Sequence, residues 1–84
     1  MDSAAIRESV VTILTSDFRI PEAKIKDEGT FRGTFGMDSL DAVDFVFLVK
    51  KTFGIEAELA DFAQVHTLGA LVKFLEGELA KKGP

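Results

Sequence analysis

The apolar residues of this chain recur at helical spacing in three segments and nowhere alternate over the length of a strand, which points to an all-α fold. Ile6, Val10, Ile13 and Leu14 define the first segment, residues 4–15, behind Asp2 or Ser3 as N-cap. The second starts at Asp38 or Ser39 and ends at Phe53, because Gly54 is the residue type that closes a helix in the left-handed conformation. The last follows Thr67, a further N-cap, and carries Leu68, Leu71, Val72, Leu75 and Leu79 until Gly83 and Pro84 stop it. A short helical turn is expected over 59–63. Across residues 16–37 the period is lost: Pro21, Gly29, Gly33 and Gly36 punctuate the stretch, and Phe18, Ile20, Ile25, Phe31 and Phe35 stand apart like anchors. A structureless connection of this length is uncommon inside a compact domain, so an ordered loop pinned to the core is expected. The predicted architecture is a four-helix bundle with a long first loop and a short third helix, a single domain over residues 1–84.

A chain of 84 residues is too short to enclose a deep active site. It has no cysteine and one histidine, His66, so neither a disulfide framework nor a thiolate zinc site can be built, and thiol chemistry must come from an added group. The first residues lack a basic stretch followed by an uninterrupted apolar one, and nowhere do about 18 apolar residues run together. A cytoplasmic monomer with no membrane insertion is expected. The net charge of -4, from 14 acids against 10 bases, disfavours a nucleic-acid partner and favours a basic protein surface. Between residues 37 and 49 the only charges are Asp38, Asp41 and Asp44, and Lys50 and Lys51 follow at once.

The informative stretch is Gly36-Met37-Asp38-Ser39-Leu40-Asp41-Ala42-Val43-Asp44. A serine in the first turn of a helix exposes its hydroxyl, and a phosphodiester placed there lies near unpaired backbone N–H groups at the positive end of the helix dipole. The same residues also read as plain capping, with Asp38 as N-cap and Asp41 completing a weak capping box; the two roles are compatible. Gly-x-Asp-Ser-Leu at the end of a long loop, opening a helix that closes with Phe53-Gly54-Ile55, resembles the attachment region of acyl carrier proteins, and the likeness in organisation covers essentially the whole chain. The resemblance implies a 4'-phosphopantetheine arm on Ser39, installed from coenzyme A by a separate phosphopantetheinyl transferase. It implies a carrier with no catalytic residues and no metal, not an enzyme. Its partners would be acyl-loading ligase, synthase or acyltransferase enzymes of fatty-acid, lipid or polyketide-type biosynthesis.

At about 100° per residue, Asp41, Asp44, Lys50 and Lys51 define an outward arc of the second helix that also holds Leu40, Val43 and Phe47. Ala42, Phe45, Val46, Val49 and Phe53 occupy the opposite arc and face the core. An exposed apolar stripe bordered by acids is a docking surface, which makes Asp38, Leu40, Asp41, Val43, Asp44 and Phe47 the candidate partner-binding residues. The alternative is that Leu40 and Phe47 pack under the long loop. Two departures from the family point to a specialised carrier: Lys50 and Lys51 stand where bulk fatty-acid carriers continue their acidic surface, and the proline and acidic run after Phe-Gly are replaced by residues 56–62. In the family an acyl chain can be sheltered between helices, and Phe45, Phe53, Phe62 and Phe74 are the rings that would border such a space here, although rings at helical spacing are more often ordinary core packing; such bulk implies a short cargo or one held outside. An aminoacyl or D-alanyl carrier would use the same serine. A helical adaptor that never receives the arm is the reading from another class. A divalent-cation site of Asp38, Asp41 and Asp44 is poorly supported, since spacing of three along a helix does not wrap an oxygen cage.

Overall fold

Asp2 starts the first helix by accepting the Ala5 N–H at 2.8 Å, one of the donors that a helix start leaves without an intrahelical acceptor. The computed structural model describes residues 2–81. Its elements are α1 (Ser3–Ser16), α2 (Ser39–Phe53), a 3₁₀ helix (Leu59–Gln64) and α3 (Leu68–Lys81), with a further 3₁₀ turn at Glu22–Lys24 inside the long loop. The fold is thus the all-α, four-helix arrangement expected, α1 running one residue further at each end and the short third helix one residue further at its end. Gly54 closes α2 in the left-handed region, φ 64° and ψ 35°. The stop expected at Gly83 and Pro84 lies outside the described residues.

The core is the sum of the helices' apolar faces. Ile6, Val10 and Leu14 of α1 meet Leu68, Leu71 and Leu75 of α3, all essentially fully buried, and Phe45, Val46, Val49 and Phe53 of α2 close the third side. Burying each such side chain contributes about 1.5–3 kcal/mol relative to leaving it exposed. One core assignment is corrected. Ala42, expected on the core face of α2, is exposed, because a cleft opens beside it that its methyl group is too short to fill.

The long loop is ordered because it completes α3. The N–H groups at the start of that helix need acceptors, and the loop supplies some of them. Leu68 donates to the Gly29 carbonyl at 3.1 Å and Gly69 to that of Asp27 at 2.8 Å. Thr67 supplies the rest, accepting from Ala70 on its side-chain oxygen at 3.2 Å and from Leu71 on its carbonyl at 3.0 Å. The strand-like bridge between Thr30 and Thr67 and the Phe31 N–H on the His66 carbonyl, at 3.1 Å, extend the seam. Of the expected anchors, Ile20 and Phe35 are buried, and Phe18, Ile25 and Phe31 are half-buried against the core. Phe45 of α2 receives two of these rings, Phe18 edge-on at 5.8 Å and Phe31 tilted at 5.3 Å, and Phe31 meets Phe35 at 5.7 Å. This aromatic chain sets where the loop ends, and so where α2 begins.

Candidate functional site

Gly36 turns the backbone into α2 with φ 68°, a conformation that side chains with a Cβ rarely adopt. Met37 then plugs into the core while its N–H donates to the Phe31 carbonyl at 2.9 Å. Asp38 is the N-cap in extended conformation, and its capping box is complete: Asp38 Oδ1 accepts the Asp41 N–H at 2.9 Å and Asp41 Oδ2 accepts the Asp38 N–H at 3.2 Å. Ser39 is the first residue of the helix and is exposed. Helix geometry gives the N–H groups of Ser39 and Leu40 no intrahelical acceptor, so they are available at the positive end of the dipole.

A partner of Ser39 went unrecognised in the sequence. Arg32 Nη2 donates to Ser39 Oγ at 2.9 Å across seven residues of chain. Its position follows from the turn 31–34, which Thr30 fastens: the Thr34 and Phe35 N–H groups both reach the Thr30 carbonyl at 3.0 Å, and Thr30 Oγ1 accepts from Gly33 at 3.0 Å. No periodicity signals such a contact. The only trace in the sequence is a cation in a loop that ends at the serine.

The residues placed on the outward arc of α2 are exposed as the wheel predicts. Leu40, Val43 and Phe47 are 78%, 50% and 64% exposed, so neither Leu40 nor Phe47 packs under the loop. Asp38 and Asp44 are exposed beside them and Asp41 is half-buried by its part in the capping box. Leu59, 52% exposed at the start of the 3₁₀ helix, joins this set without having been singled out; its signal was an apolar residue at the head of a short helix. Lys50 and Lys51 fall in the last turn of α2, where they complement the dipole.

Between α2, the loop and the 3₁₀ helix lies an open cleft of about 700 Å³. Phe31, Phe45 and Phe62 line it, Ala42 and Leu59 stand on its walls, and Arg32 and His66 are among its polar lining. Of the four rings named in the sequence, Phe45 and Phe62 line this cleft, and Phe45, Phe53 and Phe62 are buried as ordinary core packing would have them. Phe53 is buried in the core, and Phe74 is spent on an edge contact with Phe62 at 5.0 Å. The space opens to the surface and is lined from α2, the 3₁₀ helix and α3 as well as from the loop. Taken together, an exposed hydroxyl, a guanidinium on it, first-turn N–H groups beside it and an apolar cleft nearby fit a serine that bears an anionic, phosphate-linked arm.

The chain is similar in fold to an acyl carrier protein from Enterococcus faecalis, with a TM-score of 0.77 and 23% sequence identity over 93% of this chain and 99% of that one. No helix among the described residues is long and apolar enough to cross a membrane. A family model described as "Phosphopantetheine attachment site" matches residues 8–75, a span that takes in most of α1, the whole loop, all of α2 and half of α3. The chain belongs to that family, and is a carrier of 4'-phosphopantetheine that works with a phosphopantetheinyl transferase and partner enzymes rather than an enzyme itself.

Proposed function

We propose that Ser39 is the residue that carries the arm, and that the chain presents acyl thioesters to acyl-loading ligase, synthase or acyltransferase enzymes in fatty-acid, lipid or polyketide-type biosynthesis. The observation that carries this reading is the exposed Ser39 at the first position of α2, with Arg32 on its hydroxyl. When bound, the arm supplies the thiol that this cysteine-free chain lacks. Partners read Asp38, Leu40, Asp41, Val43, Asp44 and Phe47: the apolar residues pack, and the acids steer a basic surface. Lys50 and Lys51 end the acidic surface within α2, which fits a carrier dedicated to a few enzymes rather than a general one.

Incubation with a broad-specificity transferase and coenzyme A should add one phosphopantetheine mass to the wild type and none to Ser39→Ala. Addition at Ser3, Ser9 or Ser16 would falsify the assignment, and a wild-type chain that stays unmodified would favour the adaptor reading. The mass of the loaded form from the native host identifies the cargo, an amino acid there favouring the aminoacyl or D-alanyl alternative.

A further inference from the structure

An anion attached at Ser39 enters an environment that is not uniformly favourable. Asp38 precedes the serine and Asp41 follows two residues later, so two carboxylates flank the attachment point. Each has one oxygen on the other's N–H, which fixes them in place. A phosphodiester beside two fixed carboxylates needs a cation, and the helix start supplies only partial charge. Arg32 is that cation, already 2.9 Å from the oxygen through which an arm would be linked. Its backbone is held on both sides, by the Thr30 turn and by the Phe31 ring against Phe45. Arg32 is also among the residues that line the cleft, with Phe31, Phe45 and Phe62.

We propose that Arg32 binds the phosphodiester of the arm and thereby roots it on the cleft side of α2. The proposal rests on Ser39 as the attachment residue. With a neutral hydroxyl the guanidinium makes one ordinary hydrogen bond. A phosphodiester would offer it two non-bridging oxygens that share one negative charge, a pairing suited to its planar fork, and such charge-assisted bonds are roughly twice as strong as neutral ones. A lysine at this position would keep the charge but not the fork. Because the pair is exposed, salt weakens it. The consequence for function is positional: the phosphate at the root of the arm is held beside the cleft that Arg32 helps to line.

The test uses the full chain, converted to its arm-bearing form and checked by intact mass and peptide mapping. ³¹P spectra are compared for wild type, Arg32→Gln and Arg32→Lys at low and high ionic strength, with ¹H–¹⁵N spectra as a check on folding. The wild-type phosphorus resonance should be displaced from that of Arg32→Gln at low salt and converge on it at high salt, with Arg32→Lys lying closer to Gln than to Arg. The melting temperature should also rise more on modification in the wild type than in Arg32→Gln. Coincident resonances at every salt, with equal changes in melting temperature, overturn the proposal while leaving Ser39 as attachment residue. Absence of the arm from Ser39 in the mass analysis overturns the functional reading itself, before any spectrum is compared.

Discussion

Asp38 sits where stability and recognition meet. Its side chain caps α2 and its charge borders the surface that partners are proposed to read, so a single alanine substitution confounds the two roles. Substitution can separate them. Asp38→Ala removes the cap and half of the box, at a cost of about 0.5–2 kcal/mol, whereas Asp38→Asn keeps a capping oxygen and loses only the charge. In a domain of this size each kcal/mol is worth about 4–8 °C, so thermal unfolding should show Asp38→Ala clearly lowered and Asp38→Asn near wild type. Equal melting temperatures for all three would mean that the box contributes nothing. The Asp38–Asp41 box was legible in the sequence because capping is local, its partners three residues apart. The Arg32–Ser39 contact was not, because seven residues of loop intervene and their path is set by Thr30 and by rings elsewhere in the chain.

The helices themselves were legible from their apolar period, and the loop from the period's absence. What the sequence did not reveal is how the loop is used: its carbonyls at Asp27 and Gly29 finish the start of α3, a pairing across some forty residues that no local pattern encodes. The cleft was foreseen only in part: Phe45 and Phe62 were named beside such a space, but Phe31 comes to it from the loop, and Ala42 is a core residue on the wheel only if something packs over it. The loop's role in stability is nonetheless open to direct measurement. Phe35 is 7% exposed and Phe31 half-buried, so truncation to alanine should hurt Phe35 more. A buried Phe→Ala change costs about 3–5 kcal/mol, a large share of the roughly 5–15 kcal/mol that holds a small domain folded. Denaturant titration should place Phe35→Ala below Phe31→Ala, and both below wild type. Unchanged midpoints for the pair would show that the loop is not anchored through these rings.

Over the whole molecule, charge is distributed so that α2 begins acidic and ends basic, with exposed apolar side chains between. Exposed charges act mainly on association rate and its salt dependence, whereas a buried apolar anchor acts mainly on dissociation. Asp44→Lys should therefore slow modification by the transferase at low salt and matter little at high salt, because screening removes the steering that the acid provides. Leu40→Ala should weaken binding at any salt, since packing area is not screened. On the proposed function, the basic end of α2 would act as a selectivity element against enzymes that expect acids along the entire helix. Exchanging Lys50 and Lys51 together for Glu should then raise the loading rate by a fatty-acid synthesis transacylase, most at low ionic strength. Lys73→Glu, an exposed change on α3, controls for reversing the charge of a lysine outside α2, at half the net-charge change of the double variant. The double variant has its own cost, because it places two acids at the negative end of the helix dipole, each worth roughly 0.3–1 kcal/mol, so its melting temperature should fall slightly even as its loading rate rises. Opposite movement of stability and rate is the signature that distinguishes partner selection from structural complementation. Equal loading rates for wild type, the double variant and the control would leave Lys50 and Lys51 as complements to the dipole and nothing more.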